Sequence, residues 1–159
     1  MTLGANVRKI LIVAIPTSVV AFCAWGWLMM AGLGTWPPSN YELRKTVASA
    51  KPVIAAIRAY EVDHKKPPKV LEDLVPKYLR TLPQPQGPAE GNWQFWSSEN
   101  ESRGVPEGQD WALAIKVKGT KGFLQFGDYF AFHPNGEYEE TYYGGVLLRR
   151  VEGWGYYRE

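Results

Sequence analysis

The sequence has little of the side chains that build disulfide-bonded, metal-bound or strongly charged proteins. Its 159 residues include a single cysteine, Cys23, and two histidines. A disulfide framework needs cysteine pairs, and a zinc site needs three or four ligands, most often cysteine or histidine. The formal net charge of +2 is too small for a protein that holds nucleic acid through a basic surface. We therefore expect no cofactor, no metal and no nucleic-acid partner.

Aspartate, glutamate, lysine, arginine and histidine are missing from residue 10 to residue 41. As a helix, the stretch Ile10 to Gly32 rises about 34 Å at ~1.5 Å per residue, enough to span a bilayer core of ~30 Å. Arg8 and Lys9 directly precede it, and basic residues favour the cytoplasmic side. The sequence therefore predicts a cytoplasmic N-terminus over 1–9, a transmembrane helix in the lipid bilayer over 10–34, a proline-rich linker over 35–40 and an extracytoplasmic domain over 41–159.

A cleaved signal peptide is the main alternative for the N-terminal segment. The sequence Gly32-Leu33-Gly34 offers small residues at a cleavage point. The apolar region of a signal peptide, however, usually spans only ~7–15 residues. The longer apolar run favours an anchor that stays attached.

The outer domain begins with a helical pattern. Apolar side chains recur every three or four residues from Val47 to Tyr60, which predicts an amphipathic helix over about 41–64. Pro52 lies inside this pattern, so a kink or a break is expected near residues 48–51. After this helix, the apolar residues of the segment 70–75 predict a short helical turn.

The remainder alternates between apolar and polar residues, a pattern typical of half-buried β-strands. We expect a meander of about five strands, with a hairpin at Pro134-Asn135-Gly136 and residues 154–157 as an edge strand. One sheet has to bury one face, and the amphipathic helix is available to cover it. The predicted fold class is α+β, with a transmembrane helix followed by an amphipathic helix packed on a small antiparallel β-meander.

Residues 41–97 resemble the segment of type IV pilins and type II secretion pseudopilins in which the long helix ends and the sheet begins. The likeness rests on residues 55–64, the proline-bounded run 67–83 and the strand that starts near Trp93. It implies a pilin-like fold, a single pass through the bacterial inner membrane, a periplasmic C-terminal domain and a protein partner in the envelope, and it leaves self-association open. The prepilin leader motif is absent, since Gly4 is followed by Ala5 rather than by an aromatic residue.

Basic residues concentrate in the first half of the outer domain. Residues 44–80 hold nine basic side chains against five acidic ones counted from Glu42, whereas residues 81–159 hold seven against eleven. One interpretation is charge complementarity within the domain, and the other is a basic surface for an acidic partner or anionic lipid headgroups. The aromatic C-terminus either packs in the core or offers a partner-binding surface. The candidate partner-binding residues are Arg58, Lys65, Lys66, Lys69, Trp154, Tyr156 and Tyr157.

Catalytic signatures are missing from the sequence, which has no nucleophile elbow and no phosphate-binding loop. His64 is expected at a solvated helix end and His133 in a turn. We interpret the acidic residues of the second half as a solvated strand face rather than a calcium site; they are Asp128, Glu137, Glu139 and Glu140. The sequence thus predicts no catalytic residue.

The function predicted from these observations is non-enzymatic. We expect a single-pass membrane-anchored protein whose periplasmic domain is an interaction or scaffold component of an envelope or secretion assembly. One alternative is a minor pseudopilin subunit of a type II secretion system. Another is a membrane-tethered enzyme or binding module for envelope polymers, acting through carboxylates such as Glu61, Asp63 or Asp128.

Overall fold

The computed structural model describes residues 37–100, 105–118, 127–142 and 144–158. The predicted cytoplasmic N-terminus and the predicted transmembrane helix over 10–34 lie outside the described residues. Among the residues that it does describe, no helix combines the length and the apolar character needed to cross a bilayer.

Helix α1 spans Asn40–His64 and lies where the sequence predicted the amphipathic helix. A capping box fixes its start: the Ser39 amide donates to Oε2 of Glu42 at 2.8 Å, and the Glu42 amide donates to Oγ of Ser39 at 3.3 Å. These two bonds satisfy backbone donors that a helix N-terminus otherwise leaves open. Lys65 ends the helix in the left-handed conformation and donates its amide to the carbonyl of Glu61 at 2.8 Å.

A kink or a break was expected near residues 48–51; the break does not occur, because α1 continues through Pro52. Proline removes the amide that would bond to the carbonyl of Ala48 one turn earlier. Both Ala48 and Pro52 are exposed, so water can bond to the freed carbonyl and the helix is not interrupted.

Six antiparallel strands follow the helix and form one sheet that curves into a half-barrel. A short 3₁₀ helix, Leu71–Leu74, lies between α1 and the sheet in the chain. The spatial order of the strands is β1-β2-β3-β6-β5-β4. Their bounds are β1 Ala89–Ser97, β2 Trp111–Val117, β3 Tyr129–Phe132, β4 Thr141–Tyr142, β5 Gly145–Val151 and β6 Trp154–Arg158.

This strand order shows that the predicted meander, and with it the pilin-like fold class, is wrong. A meander pairs successive strands, whereas β3 pairs with β6, and β4 joins the sheet only through β5. The predicted hairpin at residues 134–136 does not pair β3 with β4, because β6 occupies that edge of β3. The ring of His133 also engages the chain beyond the turn, with Nδ1 2.9 Å from the carbonyl oxygen of Glu137. Strand β6, predicted at an edge, is therefore an inner strand.

Both faces of the sheet carry buried side chains, not one face as expected. On the helix-facing side, Leu43, Val53 and Ile57 of α1 join a cluster with Leu113 and Phe130. A second cluster lies on the other face and combines small alanines with large aromatic side chains. Its buried members are Trp96, Ala112, Ala114, Ala131, Tyr142 and Tyr157.

Candidate functional site

The predicted partner-binding residues fall into two groups in the structure. Arg58, Lys65, Lys66 and Lys69 are all exposed, on the C-terminal half of α1 and the residues just after it. The aromatic residues of β6 are buried instead, with exposures of 1% for Trp154 and 0% for Tyr156 and Tyr157. Strand β6 pairs on both sides, with β3 and β5. Its aromatic side chains belong to the two core clusters, Trp154 and Tyr156 to the one that faces the helix and Tyr157 to the other.

The residues that follow α1 are tied to the connection between β1 and β2. Lys66 forms an ion pair with Glu99, with Nζ 3.0 Å from Oε2. Nδ2 of Asn100 donates to the carbonyl oxygen of Lys69. Lys65 is held in the left-handed conformation at the helix end. These contacts therefore hold the backbone that carries the basic side chains at this end of α1.

A cleft of about 360 Å³ opens between this segment and the strands. Glu61 lies in it, and Nε1 of Trp111 donates to Oε1 of Glu61 at 2.9 Å. Burial raises the pKa of Glu61, the Trp111 hydrogen bond opposes this rise, and the nearby charge of Asp110 adds to it. The carboxyl of Glu61 thus accepts a proton more readily than an ordinary glutamate. The cleft is lined by Glu61, Lys65, Lys66, Pro67, Ser98, Glu99 and Asp110.

The three carboxylates named for an enzymatic alternative lie in different surroundings. Glu61 shares its cleft with Asp110 and Glu99. Asp63 lies outside that cleft, where Nζ of Lys77 donates to Oδ2 at 2.8 Å and the hydroxyl of Tyr78 donates to the same oxygen at 2.7 Å. These bonds lower the pKa of Asp63. Glu61 and Asp63 therefore do not share one cleft.

Asp128 is fully buried, so its assignment to a solvated strand face was wrong. It accepts a hydrogen bond from the hydroxyl of Tyr156, which ties the residue before β3 to the neighbouring strand β6. Glu137, Glu139 and Glu140 are exposed. Within the described parts of the chain, no group of three or more histidine, cysteine, aspartate or glutamate side chains could hold a metal ion.

The two histidines have different surroundings. His64 lies exposed at the end of α1, with Nδ1 3.0 Å from the carbonyl oxygen of Tyr60. His133 is buried and stacks on Tyr138 with ring centroids 4.6 Å apart. Burial lowers the pKa of His133 below its ordinary value, and its bond with the Glu137 carbonyl partly opposes this. His133 therefore favours the neutral state inside the fold.

A second depression runs beside α1, and sequence reasoning did not identify it. Lys51, Ala55 and Arg58 lie on its helix side, and Phe132 and Trp154 lie on its sheet side. It brings together two of the predicted residues, Arg58 and Trp154, that are far apart in the sequence. The signal that could have revealed the helix side is the seven-residue spacing of Arg44, Lys51 and Arg58, which places three cations on one side of a helix.

Comparison with known proteins adds no relative from which a role could be transferred. No family model matches the chain, and neither the curated proteins nor the solved structures include a match.

Proposed function

We propose that the chain is a non-enzymatic interaction or scaffold component of a bacterial envelope assembly, tethered to the inner membrane by residues 10–34. The observation that carries this proposal is the basic surface formed by the C-terminal half of α1 and the residues just after it. Its side chains are Arg58, Lys65, Lys66 and Lys69, all of which are exposed. A surface of this kind fits an acidic protein partner.

The balance of ion pairs supports this proposal. Of the four basic side chains, Lys66 alone forms an ion pair with another described residue, Glu99. The charges of the other three are consequently not neutralised by direct contact within the described domain. Exposed cations without an ion pair steer the approach of an acidic partner and fix its orientation more than they add affinity, although Glu61, Glu99 and Asp110 line the cleft beside Lys65 and Lys66. This is the behaviour expected of a docking surface in an assembly.

The proposal is tested by crosslinking in intact cells, followed by purification of the full-length protein from detergent-solubilised membranes. We expect a specific protein partner to be recovered with the wild type. The charge reversals Lys65→Glu and Lys69→Glu, combined in one variant, should reduce its recovery. Lys118→Glu is the matched control, because Lys118 is exposed and follows β2 rather than α1. Failure to recover any specific partner with the wild type would refute the proposal.

The pseudopilin alternative makes a different demand on the N-terminus. A subunit of that kind is processed by a leader peptidase, and Gly4 is the residue at which the sequence could be cut. We expect the intact mass of the purified protein to include residues 1–4. A mass that corresponds to cleavage after Gly4 would support the alternative instead.

A further inference from the structure

The groove beside α1 lies where β3 ends and β6 begins. Its volume is about 280 Å³. Side chains of α1 form one wall, and residues of β3, β6 and the turn between β5 and β6 form the other. Lys51 and Arg58 are exposed at the rim. The lining residues are Val47, Lys51, Ile54, Ala55, Arg58, Phe132, Glu152 and Trp154.

We propose that this groove binds an amphipathic helix of a partner protein, with an apolar stripe facing the groove and acidic side chains along the flank that meets Lys51 and Arg58. The inference rests on the proposed function and deepens it, because it names the chemistry of the segment that docks. It is carried by the charge of the rim, by the spacing of the cations and by the strand pairing around the groove.

The charge of the rim is positive. Glu152 is the acidic residue of the lining, and it forms an ion pair with Arg44, with Nε 3.2 Å from Oε1. Lys51 and Arg58 form no ion pair with any described residue. Burial raises the pKa of Glu61, and the charge of Arg58 only partly opposes that rise. An apolar floor with an unneutralised cationic rim complements a segment that is apolar on one side and acidic beside it.

The spacing of the cations suits a helix. Lys51 and Arg58 are seven residues apart, which is about two turns and ~10 Å along the axis of α1. Two acids seven residues apart on a docked helix have the same separation, so both pairs can form at once. Ala55 lies between the two cations on the groove side. Its small side chain allows a second helix to approach closely, since interaxial distances of ~8–10 Å depend on the side chains at the contact.

Strand pairing argues against an extended peptide as the occupant. Strand β3 is paired with β2 and β6, and β6 is paired with β3 and β5. Neither strand therefore has a free edge in the groove. An extended peptide would leave backbone donors and acceptors unpaired against an apolar floor, which costs free energy, whereas a helix satisfies them internally.

The test is photocrosslinking from inside the groove. The full-length protein carries p-benzoylphenylalanine at Ala55, an exposed position, and is irradiated in membranes of its native host. Mass spectrometry identifies the crosslinked peptide. Val62, which is 67% exposed on α1 outside the groove, is the control position. Circular dichroism of each purified variant checks that α1 is retained.

We expect the Ala55 probe to capture a segment of another protein with apolar residues at helical spacing and acids on one flank. The double charge reversal Lys51→Glu and Arg58→Glu should lower the adduct yield at least about fivefold, because two attractive pairs become repulsive. Lys45→Glu, an exposed control outside the groove, should leave the yield unchanged. An adduct with lipid, with a second copy of the chain, or with an extended or basic segment overturns the inference, as does the absence of any adduct.

The two proposals fail in different ways. If the detergent purification recovers a specific partner but the Ala55 probe captures none, the interaction function stands and the groove is not its site. If the purification recovers no partner and the probe captures only lipid, both are refuted. Capture of an acidic amphipathic segment whose yield does not change in the double charge reversal also overturns the inference, because the cationic rim would then play no part.

Discussion

Trp111 on β2 donates a hydrogen bond from Nε1 to Oε1 of Glu61 on α1 at 2.9 Å, and this bond joins the sheet to the last turns of the helix. We expect Trp111→Phe to lower the free energy of unfolding by about 1–3 kcal/mol, because a bond to a carboxylate is lost. The pKa of Glu61 should also rise further in this variant, because the wild-type bond to Trp111 opposes the rise that burial causes. Urea denaturation and NMR titration measure the two changes.

A double-mutant cycle separates the bond from the lost ring. The cycle compares Trp111→Phe, Glu61→Ala and the double variant, and it should give a coupling energy above ~0.5 kcal/mol for residues in direct contact. A coupling near zero would show that Trp111 contributes through its bulk alone.

His133 should make the stability of the domain depend on pH. Burial lowers its pKa in the folded state below the ordinary value of 6.5. The unfolded chain therefore takes up the proton at a higher pH than the folded chain. The contribution of His133 to the free energy of unfolding is fully present above about pH 6.5, and it is lost as the pH falls through the lowered pKa of the folded state. Urea unfolding at a series of pH values should show this decline, by at most ~1.4 kcal/mol for each unit of pH.

Two variants isolate that contribution. His133→Gln should remove this part of the pH dependence, and His64→Gln, at an exposed position, should keep it. Glu61 affects the pH dependence of stability with the opposite sign. Because its pKa is raised in the folded state, its contribution to the free energy of unfolding is fully present at low pH and is lost as the pH rises. Both series are therefore measured in the Glu61→Gln background. If the free energy of unfolding of His133→Gln fell with pH as steeply as that of the parent, the pH dependence could not be assigned to His133.

Gly87 should not tolerate a side chain. Its φ of 78° lies in the left-handed region, and a Cβ atom there would lie 2.6 Å from the carbonyl oxygen of Glu42 on α1. We expect Gly87→Ala to cost about 2–4 kcal/mol, of which the backbone conformation accounts for roughly 1–2. Gly91 is the matched control, since its φ is 79° and a Cβ atom at that position would have no neighbour within 4 Å. Thermal or urea unfolding should show the larger loss at residue 87, and equal losses would exclude a clash with α1.

The buried hydrogen bond between Tyr156 and Asp128 should contribute more to the free energy of unfolding than a contact on the surface does. The hydroxyl of Tyr156 donates to Oδ2 of Asp128, and Tyr156→Phe removes this donor while leaving the ring in place. A lost bond to a buried carboxylate costs about 1.5–3 kcal/mol. Tyr41→Phe is the control, because Tyr41 is 70% exposed and should change the stability little. A loss no larger than that of the control would show that the hydroxyl is dispensable.

The helix could be predicted from the sequence because its signals are local. After Pro37-Pro38, Ser39 or Asn40 can cap its start, and apolar residues such as Val47, Val53 and Ile57 recur at helical spacing. The predicted break failed because the effect of Pro52 depends on exposure. A proline on the solvent side of a helix exposes its freed carbonyl to water, and this is not visible from the proline alone.

The order of the strands could not be predicted because it depends on distant contacts. Phe130 lies opposite Tyr156 in the sheet, and nothing near residue 130 indicates that choice. The signal at Pro134-Asn135-Gly136 does indicate a turn, and the Gly136 amide bonds to the carbonyl of His133 at 3.0 Å. That local bond does not decide which strand pairs with β3.

The candidate site was predicted in part. The exposure of Arg58 follows from its position off the apolar stripe, and that of Lys65, Lys66 and Lys69 follows from their place at a solvated helix end. The groove was missed because its helix side depends on Lys51 and Ala55, which look ordinary in the sequence, and its sheet side comes from residues more than seventy positions away. The burial of Asp128 was missed for a similar reason, since its partner is on β6.

The two outermost strands bear on how copies of this protein meet. Among the described residues, strand β4 spans the two residues Thr141–Tyr142, and the pairing of β1 with β2 shifts register between Glu90 and Gln94. A short strand and an irregular one are poor templates for adding a strand from another molecule. Growth of the sheet from copy to copy is thereby disfavoured, and the domain resists fibrous aggregation through its edges.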